Sequence, residues 1–108
     1  MKADGSAFAV RITENGQGPV LFIAGDLDLT TAPQLKSHLA ALVGEHVALE
    51  FSDVTFMDST AIGVLIDAHK RTSAAGGRLV LHGLRDGQAR LFELMGLADT
   101  VSIQDQVA

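Results

Sequence analysis

Three consecutive polar residues, Asp58, Ser59 and Thr60, stand directly before the apolar run AIGVLI. Each of these side chains can accept a hydrogen bond from the free N–H groups of a first helical turn, so the triplet is typical of a helix N-cap. A helix N-terminus also carries partial positive charge, so a phosphate can be added there without unfolding the helix. Ser59 is therefore either a structural cap or a hydroxyl that carries a charge of about −1.5 to −2 when phosphorylated.

Two further carboxylates, Asp26 and Asp28, follow the apolar run VLFIAG and precede a pair of threonines. Two Asp residues two positions apart could supply half of a magnesium site. Because no third oxygen ligand is evident, these residues are expected to shape a turn, and no metal or other cofactor is predicted. Phe56 and Met57 lie just before Asp58 on a predicted loop, where they either pack inward or offer contact area to a partner.

The sequence argues against catalysis by this chain. It contains no cysteine, which excludes disulfides, thiolate metal sites and a cysteine nucleophile. A Ser–His–Asp hydrolase could be assembled from Ser59 and one of the four histidines. The G-x-S-x-G turn is absent, however, since Met57 and Ala61 stand where that turn needs glycine. The phosphate-binding motif G-x-x-x-x-G-K-[ST] is also absent, so the chain is not expected to be an enzyme.

The composition limits which classes of partner and which cellular location are expected. Eight Lys and Arg against thirteen Asp and Glu give a net charge of −5, which argues against a nucleic-acid partner. The longest apolar runs are about six residues, whereas a membrane-spanning helix needs about 18. The first residues, MKADGSAF, lack the apolar run of a signal peptide. The chain is therefore predicted to be cytoplasmic, without a membrane span.

Hydrophobic periodicity predicts one α/β domain with a mixed β-sheet, in the order β-β-α-β-α-β-α-β, and helices packed against it. A Gly-rich turn between the first two strands predicts a hairpin, and the later alternation of strands and helices predicts parallel pairs. Thr30 and Thr31 predict the N-cap of the first helix. The predicted strands are 8–12, 20–24, 47–51, 79–81 and 101–103. The first predicted helix runs from 32 and stops at Gly44, and the second spans 59–75. The third carries an apolar stripe of Leu91, Leu94 and Met95 and is ended by Gly96.

These motifs together resemble the STAS domain of bacterial anti-sigma factor antagonists. The resemblance is carried by VTFMDSTAIGVLIDAHKR, by GDLDLTTAPQL before it and by GGRLVLHGLRDGQARLFELMGLADTV after it. It implies a single STAS domain over residues 1–108 with a structured core at about 8–105. Its most specific part is the F-M-D-S-[ST] start of the second helix. Ala61 departs from the family, which usually has Gly there, and its methyl group is expected to lie in the partner interface and to influence partner choice.

The resemblance also implies a mechanism. The serine after the Asp of the motif, Ser59 here, is phosphorylated by a cognate anti-sigma factor, which is a serine kinase that uses ATP. The unphosphorylated antagonist binds this kinase and releases a sigma factor, and the phosphorylated antagonist dissociates until a phosphatase restores it. Asp28 is implied to lie close to the serine and to assist phosphorylation or kinase contact.

The expected partner surface combines both loops that follow the second and third strands. Its residues are Asp26, Asp28, Phe56, Met57, Asp58, Ser59, Thr60 and Ala61. The chain is expected to be a monomer or a weak dimer. The alternative function within the same family is that of a STAS scaffold or adaptor subunit in a stressosome-like or lipid-transport complex.

Overall fold

The computed structural model describes residues 8–94 and 102–104, and it confirms the predicted order of elements. The strands are β1 (Ala9–Glu14), β2 (Pro19–Leu27), β3 (His46–Met57), β4 (Arg78–His82) and β5 (Ser102–Gln104), and the helices are α1 (Ala32–Ala40), α2 (Ser59–Ala74) and α3 (Asp86–Leu94). The strands form one sheet in the order β1-β2-β3-β4-β5. The β1–β2 pair is antiparallel and the other pairs are parallel, so the predicted mixed sheet is confirmed.

The helices cover one face of this sheet. On that face the central strands bury alternate side chains completely, and each of the three helices adds buried apolar residues to the same core. The principal members are Leu21, Ile23, Leu49, Phe51, Leu79 and Leu81 from the strands, and Leu35, Ile62, Leu65 and Phe92 from the helices. Each such side chain contributes about 1.5–3 kcal/mol by leaving water. This core fixes where β2 and β3 end and where α1 and α2 begin, which is at one edge of the sheet.

The opposite face of the sheet is only partly covered. Phe22 and Val80 are half-buried there, and the guanidinium of Arg11 lies 4.5 Å from the centre of the Phe22 ring. Among the residues that the structure describes, no helix is long and apolar enough to cross a membrane.

The first helix begins at Ala32, as predicted, but it ends earlier than predicted. It ends at Ala40 and not at Gly44, and Val43 is 43% exposed, so the predicted helical stripe is one turn too long. Thr31 occupies the predicted N-cap position, but its side chain makes no cap hydrogen bond to the helix. The reason is that this hydroxyl is used in the preceding turn, described below.

The third helix buries a residue that the predicted stripe omitted. Phe92 is fully buried, whereas Leu94 is 71% exposed. Met95 and Gly96, which completed the predicted stripe and its stop, lie outside the described residues, as does Val101 at the start of the predicted last strand. The described part of that strand is Ser102–Gln104.

Candidate functional site

The C-terminal half of β3 is bulged twice. Relative to β2, β3 contains one extra residue within 50–53 and another within 54–56. Each bulge rotates the side chains that follow it. Buried side chains therefore recur at every third position, at Phe51, Val54 and Met57. The segment at 55–57, which the sequence analysis assigned to a loop, is the end of this strand.

On the side away from β2, no described strand pairs with this bulged half of β3. The neighbouring strand β4 pairs only with residues 46–50. In its place, the guanidinium of Arg85 donates hydrogen bonds to the carbonyl oxygens of Ser52 at 3.0 Å and Val54 at 2.9 Å. The Gln88 amide donates a further bond to the Val54 carbonyl at 3.3 Å. Side chains at the start of α3 thus satisfy carbonyls of β3 that no strand in the described part of the chain pairs with.

Hydrogen bonds tie the ends of β2 and β3 together. The hydroxyl of Thr55 donates to Oδ1 of Asp26 at 2.7 Å. The backbone N–H of Asp58 donates to the carbonyl of Leu27 at 3.3 Å. The two loops that the sequence analysis singled out therefore begin side by side, as expected for parallel neighbours.

Asp28 organises the turn that leads into α1. Its Oδ1 accepts hydrogen bonds from the backbone N–H groups of Thr30 at 2.9 Å and Thr31 at 3.2 Å, and its carbonyl accepts from the N–H of Ala32 at 2.7 Å. The Thr31 hydroxyl donates to the Asp26 carbonyl at 2.7 Å and accepts from the Asp28 N–H at 2.9 Å. Asp28 thus shapes the turn. No group of three or more potential metal-ligating side chains occurs among residues 8–94 and 102–104.

Asp58 caps α2 and leaves Ser59 free of that task. Asp58 has extended backbone angles, and its Oδ1 accepts a hydrogen bond from the N–H of Ala61 at 3.1 Å. Its carbonyl accepts from the N–H of Ile62 at 3.3 Å. Ser59 is the first residue of the helix and is exposed, and its hydroxyl makes no hydrogen bond to any described residue. The triplet does form a cap, as predicted, but Ser59 is not the capping residue.

Exposed apolar side chains lie at the same edge of the sheet as Ser59. Phe56, at the end of β3, is 53% exposed, and Leu29, in the turn after β2, is 70% exposed. A single exposed leucine is ordinary. Here, however, two large apolar side chains are exposed at the ends of adjacent strands, at the edge of the sheet where α2 begins. Leu29 is not among the residues predicted from the sequence, although an apolar residue between Asp28 and Thr30 in a polar turn was a usable signal.

Two residues expected at the partner surface are buried. Met57 is 7% exposed because the bulges of β3 turn it toward the core, and Ala61 is 0% exposed. Ala61 lies on the buried stripe of α2 together with Leu65 and Ala68. The expectation that these two side chains contact a partner is therefore wrong for the described conformation. The other predicted residues lie at the edge where α1 and α2 begin: Asp26, Asp28, Phe56, Asp58, Ser59 and Thr60.

Comparison with known proteins gives consistent matches. The sequence matches the family model of the STAS domain over residues 9–108. It is similar to the anti-sigma-B factor antagonist of Listeria monocytogenes, with 40% identity over 88 residues that cover 79% of this chain and 77% of the relative. The anti-sigma-B factor antagonist of Bacillus subtilis is 34% identical over 96 residues, which cover 87% of this chain and 88% of the relative.

A solved structure shares the fold. The Bacillus cell fate determinant SpoIIAA in its phosphorylated form superposes with a TM-score of 0.73 at 20% identity, covering 94% of this chain and 92% of that one.

Proposed function

The chain belongs to the STAS domain family, and on that premise we propose that it is an anti-sigma factor antagonist that phosphorylation of Ser59 switches off. In its unphosphorylated form it binds an anti-sigma factor serine kinase, which then releases a sigma factor, and a phosphatase reverses the modification. The observation that carries the proposal is an exposed Ser59 hydroxyl without a hydrogen-bond partner in the described chain. The chain acts by binding, in the cytoplasm, and the kinase supplies the catalytic groups.

Phosphoryl transfer requires from this chain only an accessible nucleophile. Ser59 Oγ attacks the γ-phosphorus of ATP held by the kinase. The new Oγ–P bond forms as the bond from that phosphorus to the β,γ-bridging oxygen breaks, and ADP leaves with that oxygen. The hydroxyl proton passes to a base of the kinase. Because the cap bond from Ala61 to Asp58 does not involve Ser59, the first turn of α2 stays intact throughout.

Asp28 acts as a positioning residue in this proposal. Its Oδ1 already accepts hydrogen bonds from the N–H groups of Thr30 and Thr31. These bonds fix the turn that presents Leu29 beside the ends of β2 and β3. In this proposal, Asp28 thereby supports the surface that the kinase contacts.

Added charge explains the release of the kinase. A phosphate on Ser59 adds about −1.5 to −2 beside Asp58, in a chain whose net charge is already −5. Two unit charges 4 Å apart at an effective dielectric near 20 interact with about 4 kcal/mol before salt screening. Half of that energy, opposing a docked partner, weakens affinity by about 30-fold. The exposed Phe56 strengthens the effect, since a phosphate must be desolvated if an apolar contact is to close over it.

Capture of the kinase tests the proposal. The purified protein is immobilised, host extract is passed over it with and without ATP, and the bound serine kinase is identified. Mass spectrometry of the peptide that carries Ser59 should find phosphate only with ATP. Ser59→Ala should bind the kinase and accept no phosphate. Ser59→Asp should bind at least about tenfold more weakly, with unchanged circular dichroism and melting.

Two outcomes would contradict the proposal. One is phosphate on a residue other than Ser59. The other is a Ser59→Asp variant that unfolds, because the serine would then be structural.

A further inference from the structure

Gly63 lies inside α2, one helical turn after Ser59. Residues four apart share a helix face, and both of these residues are exposed. A Cβ atom built at Gly63 has no described atom within 4 Å, and Gly63 is absent from the glycines with positive φ. Neither packing nor backbone conformation in the described part of the chain therefore requires glycine at this position.

Glycine in a helix interior lowers helix stability relative to alanine, because it loses more backbone freedom on folding. The side of α2 that packs on the core is elsewhere, at Ala61, Leu65 and Ala68. An exposed glycine that stabilises nothing within the described chain, directly beside an unbonded hydroxyl, points to a contact outside the chain. The missing side chain leaves the helix backbone bare on the face that carries Ser59.

We propose that Gly63 is the point at which the main chain of the anti-sigma factor kinase approaches α2, so that its bound ATP can reach Ser59. This inference rests on the proposed function and adds a specificity-determining residue to it. The distance along the helix axis from Ser59 to Gly63 is about 6 Å, so a partner segment seated on Gly63 is adjacent to the reacting oxygen. A side chain at this position would hold the kinase away from the hydroxyl. A misplacement of about 1 Å is enough to slow an aligned reaction by about 100-fold.

A size series at this position tests the inference. Gly63→Ala and Gly63→Leu place good helix formers in open space, so both should fold, and Gly63→Ala should raise Tm by about 4 °C. Phosphorylation is then measured with ATP and the serine kinase purified after capture. The kcat/KM for phosphorylation should fall about threefold or more for Gly63→Ala and about tenfold or more for Gly63→Leu. Affinity for the kinase, measured by titration, should fall in the same order.

Ser73→Ala provides the matched control. Ser73 is exposed on the same helix, about 21 Å from Ser59 along the axis, and alanine is likewise the better helix former. This variant should melt no lower than the wild type and should be bound and phosphorylated like the wild type.

The outcomes separate this inference from the proposed function. If Gly63→Leu folds and is bound and phosphorylated like the wild type, the contact at Gly63 is refuted and the proposed function stands. If Gly63→Ala melts below the wild type, the glycine has an internal structural role and the inference is likewise refuted. If the wild type itself acquires no phosphate on Ser59, the proposed function fails.

Discussion

Replacing Asp58 by alanine should destabilise the domain, whereas replacing Ser59 by alanine should not. The first change removes the oxygen that accepts the Ala61 N–H at 3.1 Å, and loss of such a cap costs about 1 kcal/mol. It also removes a negative charge from a helix N-terminus, worth about 0.3–1 kcal/mol. A total near 1.5 kcal/mol, with an unfolding entropy of about 0.23 kcal/mol/K for a chain of this length, lowers Tm by about 6.5 °C.

Thermal melting and urea unfolding, both followed by circular dichroism, measure the difference. Asp58→Asn is the matched control, because it keeps the acceptor oxygen and loses only the charge, so it should lose about a third of that stability. Ser59→Ala should stay within about 0.5 kcal/mol of the wild type, since its hydroxyl bonds to nothing described. Equal losses for Ser59→Ala and Asp58→Ala would refute this division of roles, because the serine would then be holding the helix.

Two further predictions concern the stability of the fold. Arg85→Ala should lower the free energy of unfolding by about 1–2 kcal/mol, because the Ser52 carbonyl loses its side-chain donor and the Val54 carbonyl keeps only the Gln88 amide. Arg85→Lys should restore only part of this stability, and unchanged urea midpoints would contradict the prediction. Gly18→Ala should cost more than Gly16→Ala in the same measurement. Both glycines have positive φ, but a Cβ at Gly18 would clash with the carbonyl oxygen of His46, whereas one at Gly16 has no described atom within 4 Å. Equal losses would show that backbone conformation alone sets the cost.

The order of elements could be predicted because its signals are local. The start of α2 follows from a capping triplet ahead of an apolar helical stripe, and α2 begins at Ser59 as predicted. The hairpin of β1 and β2 follows from a Gly-rich turn between two apolar runs. Each of these signals is contained in a few neighbouring residues, so no knowledge of distant contacts is needed.

The end of β3 could not be predicted, because its geometry depends on a partner strand. Two extra residues relative to β2 change the burial period from two to three, so Thr55, Phe56 and Met57 no longer alternate. Read with a period of two, the segment resembles a loop. The burial of Met57 followed from the bulges and was inaccessible to periodicity.

The choice among the three capping candidates was also beyond the sequence. Asp58, Ser59 and Thr60 can all cap a helix by residue type. The capping residue is the one whose backbone is extended where the chain leaves the sheet. The hydrogen bond from the Asp58 N–H to the Leu27 carbonyl holds Asp58 in that conformation. Leu29 is a different case: its place in a polar turn is visible in the sequence, and only its exposure depends on the turn that Asp28 builds.

The short β4 has a consequence for solubility. A strand with unpaired carbonyls inside a sheet is a template onto which a strand of another molecule can add, and the segment VTFM is rich in the residue types that favour such pairing. The guanidinium of Arg85 donates hydrogen bonds to these carbonyls and, unlike a strand, presents no further unpaired backbone groups. In a nascent chain whose third helix has not yet docked, these carbonyls are open to a strand of another molecule, so we expect docking of α3 to reduce aggregation.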